Sequence, residues 1–152
     1  MAKQAKRKDR EALVQGLNED LAREYQAIIA YVVYSQMLKG AAYMAIAEEL
    51  ERHAAEELRH ALTIAKHIDY LGGTPVVTPK PVIVSDKAET MLQADLDNES
   101  ETIRHYRRRL RECEAAGEYA VAEDIREILR QEQEHLIDLA TALGIDAPAI
   151  PA

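Results

Sequence analysis

The sequence predicts an all-α fold, an antiparallel four-helix bundle whose second and third helices are joined by a long crossover. Four long proline-free stretches end at or near Gly40, Gly72-Gly73, Gly117 and Gly144. A run rich in proline and β-branched residues lies between the second and third of them. The chain also repeats itself at one constant offset, pairing Leu17 with Leu92, Asp20 with Asp95, Leu21 with Leu96 and Tyr31 with Tyr106. The same offset pairs Ala45-Ile46-Ala47-Glu48 with Ala120-Val121-Ala122-Glu123.

The first helix is expected from about Asp9 to Leu38, where Leu13, Leu17, Leu21, Ile28, Val32 and Tyr34 recur at helical intervals before Gly40. The second runs from Ala41 to Leu71, rich in Ala, Glu and Leu with no internal Gly or Pro, and stops at Gly72-Gly73. Residues 72–85 carry Pro75, Pro79 and Pro81 among Val76, Val77, Val82, Ile83 and Val84, which favours extended backbone and a crossover. Asp86 and Glu89 form a capping-box pattern opening the third helix, which continues to about Ala116. The fourth follows the turn at Gly117, from Glu118 to about Leu143. One domain spans 1–152, with residues 1–8 as a basic tail and 145–152 as a loose tail.

Within the repeat, Glu24 is followed by Glu57-x-x-His60, and Glu99 is followed at the same separation by Glu132-x-x-His135. A Glu and a His three apart share one helix face and can grip one ion. Antiparallel helices joined by a tight turn bring together residues equidistant from it: Glu24 and Glu57 are centred near Gly40, Glu99 and Glu132 near Gly117. Each pair lies roughly 25 Å from its turn at about 1.5 Å per residue. A crossover over residues 72–85 reaches at most about 46–50 Å, enough to return along a helix of this length and set both hairpins at one level.

Four carboxylates and two imidazoles suit two iron ions per chain, with manganese or zinc also compatible. Glu57 and Glu132 are expected to bridge, Glu24 and His60 to complete one ion, and Glu99 and His135 the other. Four carboxylates buried without cations would cost several kcal/mol per charge, which argues against a merely structural role. Asp20 and Asp95, one turn before the lone glutamates, are candidates to accept a ligand histidine's free N–H. Tyr31 and Tyr106, two turns beyond, are candidates to hydrogen-bond ligands or donate an electron, with Tyr106 equally readable as core. His53, His67 and His105 have no histidine partner in the repeat and read as surface residues.

A net charge of −8 argues against a general polyanion binder. A single cysteine, Cys113, excludes an intrachain disulfide and suits a reducing cytoplasm. The longest nearly apolar run, Ala27 to Leu38, is too short for a membrane span of about 20 residues. The basic start at Lys3, Lys6, Arg7, Lys8 and Arg10 is followed by Asp9 and Glu11 instead of a signal peptide's apolar stretch.

These motifs resemble bacterioferritin and, more broadly, the ferritin-like di-iron carboxylate proteins: Glu24-x6-Tyr31, Ala55-Glu-Glu-Leu-Arg-His60, Met91-Leu-Gln-Ala-Asp-Leu-Asp-Asn-Glu99 and Glu127-Ile-Leu-Arg-Gln-Glu-Gln-Glu-His135. The resemblance implies a ferritin-like bundle, oxidation of Fe(II) by dioxygen or peroxide, mineral storage in a hollow homo-oligomer, and catalytic roles for Glu24, Glu57, His60, Glu99, Glu132, His135 and Tyr31. Haem-binding bacterioferritins carry Met after the Glu of the first Glu-x-x-His; Leu58 stands here, so no haem is expected. The short stretch after His135 includes Pro148 and Pro151 and leaves no room for a short fifth helix, which favours a twelve-subunit Dps-like shell over a twenty-four-subunit cage. The basic start is also similar to DNA-binding tails of Dps-like proteins. Competing readings are a rubrerythrin-like peroxidase, a manganese catalase and a DNA-protecting shell. Rubrerythrins place a Glu where this chain has Thr102.

Overall fold

A computed structural model describes residues 1–151 of the chain. The architecture is an all-α four-helix bundle: α1 (Ala2–Met37), a 3-10 turn (Ala41–Tyr43), α2 (Met44–Tyr70), α3 (Ala88–Ala115) and α4 (Tyr119–Leu143). No strand occurs among the described residues. α1 packs chiefly on α2 and α3 on α4, and the hairpins meet through α1 against α3 and α2 against α4.

The first helix begins at Ala2, well before Asp9. Ala, Lys, Gln and Arg in this stretch are all strong helix formers, so nothing stops the helix running out into solvent with residues 1–12 exposed. The Asp86/Glu89 capping box does not form: α3 starts at Ala88 without a side-chain cap, and the Lys87 N–H donates to Ser85 Oγ at 3.1 Å. Val32 points to solvent, 51% exposed, while Ala30, Tyr31 and Tyr34 take the buried stripe. Between α3 and α4, Gly117 adopts φ 76°, left-handed backbone that favours glycine.

The crossover lies along α1 and is pinned to it about every turn. Asn18 donates to the Thr74 carbonyl at 3.1 Å and accepts from the Val76 N–H at 2.9 Å. The Lys80 N–H donates to the Ala22 carbonyl at 3.1 Å, Gln26 to Pro81 at 2.6 Å, and the Tyr34 hydroxyl to Ile83. It thus returns the chain to the starting level, so α2 and α3 run parallel. Beyond Gly144 the chain is irregular but not free: Arg107 donates to the Ile150 carbonyl at 2.8 Å and Ile150 packs on the core. Ala152, part of the expected tail, lies outside the described residues.

The apolar core falls into two clusters. One contains Leu13, Leu17, Leu21, Ile64, Ile68, Tyr106 and Ile125; the other contains Tyr31, Tyr34, Leu50, Met91, Leu92, Leu136 and Leu139. Each buried Leu or Ile contributes about 1.5–3 kcal/mol, so the clusters clamp the bundle at both ends of the polar layer between them.

Candidate metal centre

Into that layer the helices deliver all six residues of the repeat: Glu24 from α1, Glu57 and His60 from α2, Glu99 from α3, Glu132 and His135 from α4. Each occupies a position on its helix's buried stripe, and none is more than 3% exposed. His60 Nδ1 lies 2.9 Å from Glu132 Oε1, 3.5 Å from Glu57 and 3.7 Å from Glu24. His135 Nδ1 lies 2.9 Å from Glu57 Oε1, 3.6 Å from Glu132 and 3.7 Å from Glu99. The matching distances reproduce in space the internal repeat of the sequence.

Two four-donor groups result, Glu24-Glu57-His60-Glu132 and Glu57-Glu99-Glu132-His135, each with its donor atoms within 4.8 Å of one another. Glu57 and Glu132 belong to both, the arrangement in which a carboxylate can bridge two ions. Both oxygens of Glu57 and one each of Glu24, Glu99 and Glu132 are buried without a hydrogen-bond partner, as is His135 Nδ1, whose approach to Glu57 lacks hydrogen-bond alignment. Buried acceptors aimed at one another and left unpaired are costly unless cations satisfy them, so the donor set fits a pair of divalent ions.

The surrounding contacts cross between the hairpins. The Tyr31 hydroxyl donates to Glu99 Oε1 at 2.5 Å, and Tyr106 donates to Glu24 Oε1 at 2.6 Å. Burial, reinforced by Glu99 for Tyr31 and by Glu24 for Tyr106, raises both phenols well above the usual range and keeps them protonated donors. His60 Nε2 meets Gln131 Oε1 at 2.5 Å, and His135 Nε2 meets Glu56 Oε2 at 2.6 Å. These acceptors hold the N–H outward and turn Nδ1 toward the carboxylates.

Asp20 does not take that acceptor role. It receives Arg23 at 2.5 Å and Arg109 Nε at 2.8 Å, forming a buried cluster that ties α1 to α3. Asp95 is buried with its Oδ2 unpartnered, and burial raises its carboxyl well above the carboxylate range. The sequence does carry a signal for the true acceptors, since Glu56 and Gln131 stand one repeat offset apart.

The electrostatics are those of a crowded acid cluster. Burial first, then the charges of neighbouring glutamates, raises Glu57 and Glu99 well above the carboxylate range. Burial also opposes the ionised form of Glu132, but its close approach to Glu99, His135 and His60 outweighs it and lowers its carboxyl. For His60 and His135 burial disfavours the imidazolium, and the surrounding carboxylates more than offset it, raising both rings.

Two of the three remaining histidines contradict the surface expectation. His53 is 2% exposed, stacks on His135 with ring centroids 3.9 Å apart, and meets Asp138 Oδ2 at 3.1 Å. His67 is buried against Asp124 at 2.7 Å. Only His105 is partly open, 3.5 Å from Glu101. Both buried rings rest on acids of α4, a contact across helices that spacing within one helix cannot reveal.

Fold and site together define a four-helix bundle with two carboxylate–histidine donor groups that share two glutamates. The chain belongs to the ferritin family: the ferritin-like domain matches residues 14–146. It is 32% identical over 132 residues to a bacterioferritin of Desulfovibrio desulfuricans, covering 86% of this chain and 74% of that one. A bacterial ferritin of Paramagnetospirillum magnetotacticum is 28% identical, covering 92% and 87% of the two chains. A ferritin-like, diiron-carboxylate protein from Bacillus anthracis has a solved structure that superposes with a TM-score of 0.85 at 31% identity, over 89% of this chain and 97% of that one.

Proposed function

We propose that this chain is a ferroxidase for iron storage and detoxification, with Fe(II) as substrate, dioxygen or peroxide as oxidant, and a hollow homo-oligomer as the store. The observation that carries the reading is the pair of four-donor groups sharing Glu57 and Glu132. In it, Glu24 and His60 hold one Fe(II), Glu99 and His135 the other, and Glu57 and Glu132 bridge. Two Fe(II) each give up one electron; dioxygen takes both with two protons and leaves as hydrogen peroxide, or peroxide takes them and leaves as two waters. Four carboxylates offset the charge of the ions. Tyr31 and Tyr106 fix the orientation of Glu99 and Glu24, and Gln131 and Glu56 fix the rings of His60 and His135.

Exposed Ile29, Val32, Leu58 and Leu62 on α1 and α2, with Val77, Ile83 and Val84 on the crossover, supply apolar surface that self-association would cover. No helix among the described residues is long and apolar enough to cross a membrane, and the cytoplasm is the compartment proposed. A second reading, contact with DNA, rests on Lys3, Lys6, Arg7, Lys8 and Arg10 projecting from the exposed start of α1; salt-dependent retention of duplex DNA tests it.

The principal test is Fe(II) oxidation followed by absorbance under oxygen. Glu57→Ala and Glu132→Ala should each abolish the fast phase, and unchanged rapid oxidation in both would overturn the assignment. Metal analysis, native mass and a search for a Soret band on the same sample read the ion count, the subunit number and haem, for which the expectations are two, twelve and none.

A further inference from the structure

One turn beyond the dinuclear centre, a third group of donors converges: Glu49 and His53 on α2 and Asp138 on α4, with ligand atoms within 4.8 Å of one another. Glu49, His53 and Glu57 are spaced four apart along one face of α2, and Asp138 follows His135 by three on α4, so the donors of the centre continue toward one end of the bundle. Its two carboxylates, Glu49 and Asp138, line a surface cleft of about 320 Å³ whose wall also includes Ile46, Glu48 and Arg52 but not His53. Exposure grades inward: the side chains of Asp138 and Glu49 are 40% and 37% exposed, while His53 is 2% exposed and stacked on His135.

Two features distinguish this group from ordinary surface acids. The buried His53 ring has one nitrogen on Asp138 and its Nδ1 without any hydrogen-bond partner, a polar side chain that the protein does not satisfy. The repeat also places Ile128, a buried apolar residue, where the other hairpin has His53, and Thr63 where it has Asp138. Packing at this level is therefore met by Ile, and the imidazole brings a desolvation cost that packing does not require. Glu49 is engaged by Arg52, but that pair is solvent-exposed and weakly held, so a cation can displace it.

We propose that Glu49, His53 and Asp138 form a third divalent-cation site, through which Fe(II)-class ions pass between solvent and the His135 side of the dinuclear centre. A mixed set of two carboxylates and one imidazole takes borderline divalent cations such as Fe(II), Co(II) and Zn(II). The exposed carboxylates capture the ion, and the buried ring holds it next to the residues that receive it. The site is asymmetric, serving one half of a centre whose inner donors are symmetric. The transit role, though not the cation site itself, rests on the ferroxidase reading.

Co(II) titration of the metal-free full chain without oxidant, with anomalous diffraction from Co(II)-soaked crystals, tests the site independently of iron oxidation. The expected result is three Co(II) per chain for the wild type and two for Asp138→Asn and for His53→Ala. Arg52→Ala should bind the third ion more tightly, because Glu49 is released. A Glu57→Ala/Glu132→Ala double variant should retain the third ion alone, so failure of the dinuclear reading and failure of this one give different counts. A wild type that binds two ions with no density at Glu49 and Asp138 would overturn the site. Fe(II) loading by Asp138→Asn should slow by about tenfold at low iron, the lower end of electrostatic focusing effects, with its two central Co(II) retained. An unchanged loading rate would overturn the transit role.

Discussion

Replacing Glu57 by Leu should stabilise the metal-free protein while destroying the response of its central donor layer to metal. Both Glu57 carboxylate oxygens are buried with no hydrogen-bond partner, and the residue is 1% exposed. Each unsatisfied buried polar atom costs about 1–3 kcal/mol. A Leu in the same place contributes about 1.5–3 kcal/mol by burial. Against this, His135 Nδ1 loses the carboxylate 2.9 Å away that offsets its charge. The net expectation is a gain of about 2 kcal/mol, which raises the melting temperature by roughly 4–8 °C for a chain of this size. The assay is calorimetric melting at one protein concentration, first with chelator and then with Co(II) at about 100 times its Kd. There the wild type should gain about 2.7 kcal/mol per site and the variant only the share of the Glu49-His53-Asp138 group, reversing the order of the two. A variant that melts below wild type in chelator, or gains as much from Co(II), would refute the view that Glu57 is kept for metal at the expense of the fold.

Tyr106→Phe removes the hydrogen bond to Glu24 and should weaken binding of one of the two central ions by about 1 kcal/mol, seen as one altered step in a Co(II) titration; equal loss at both steps would contradict the assignment of Glu24 to one ion. Gly16→Ala should destabilise by about 2–4 kcal/mol, because its Cβ would overlap the Arg109 guanidinium and drive it from buried Asp20, leaving only Arg23; an unchanged urea midpoint would exclude this. Metal affinity should rise with pH. Glu57, Glu99, His60 and His135 all have raised pKa values, so the metal-free centre carries protons near neutrality that ions must displace, by about tenfold per pH unit for each proton released; equal Co(II) affinity at pH 6 and pH 8 would contradict it.

The six central residues are legible in the sequence because the chain states them twice at one offset, and because equal distances from Gly40 and Gly117 set their height. The crossover is legible from its prolines, although its pinning to Asn18, Ala22 and Gln26 is not. What escapes are contacts between helices without a repeated signature. Asp20 resembles Asp95 in sequence, yet Arg109 claims it, and the repeat equivalent of Arg109 is Tyr34, which bonds the crossover instead. His53 escapes because its repeat position is Ile128, so the comparison that exposes the centre conceals its neighbour. The helical start of the chain escapes because a cluster of basic residues reads as a tail, whereas Lys and Arg are good helix formers.

The cross-hairpin pattern bears on how the site is assembled. Every central ion would need donors from both halves: His60 sits beside Glu132, His135 beside Glu57, and each tyrosine serves the glutamate of the opposite hairpin. Two separate hairpins could build such a layer only by meeting in solution, with a yield that falls on dilution. The crossover makes that encounter intramolecular, supplying an effective local concentration in the millimolar range or above. Assembly of the donor layer therefore becomes first order in the chain, and a subunit freshly made at trace concentration can complete it before it has found a second copy.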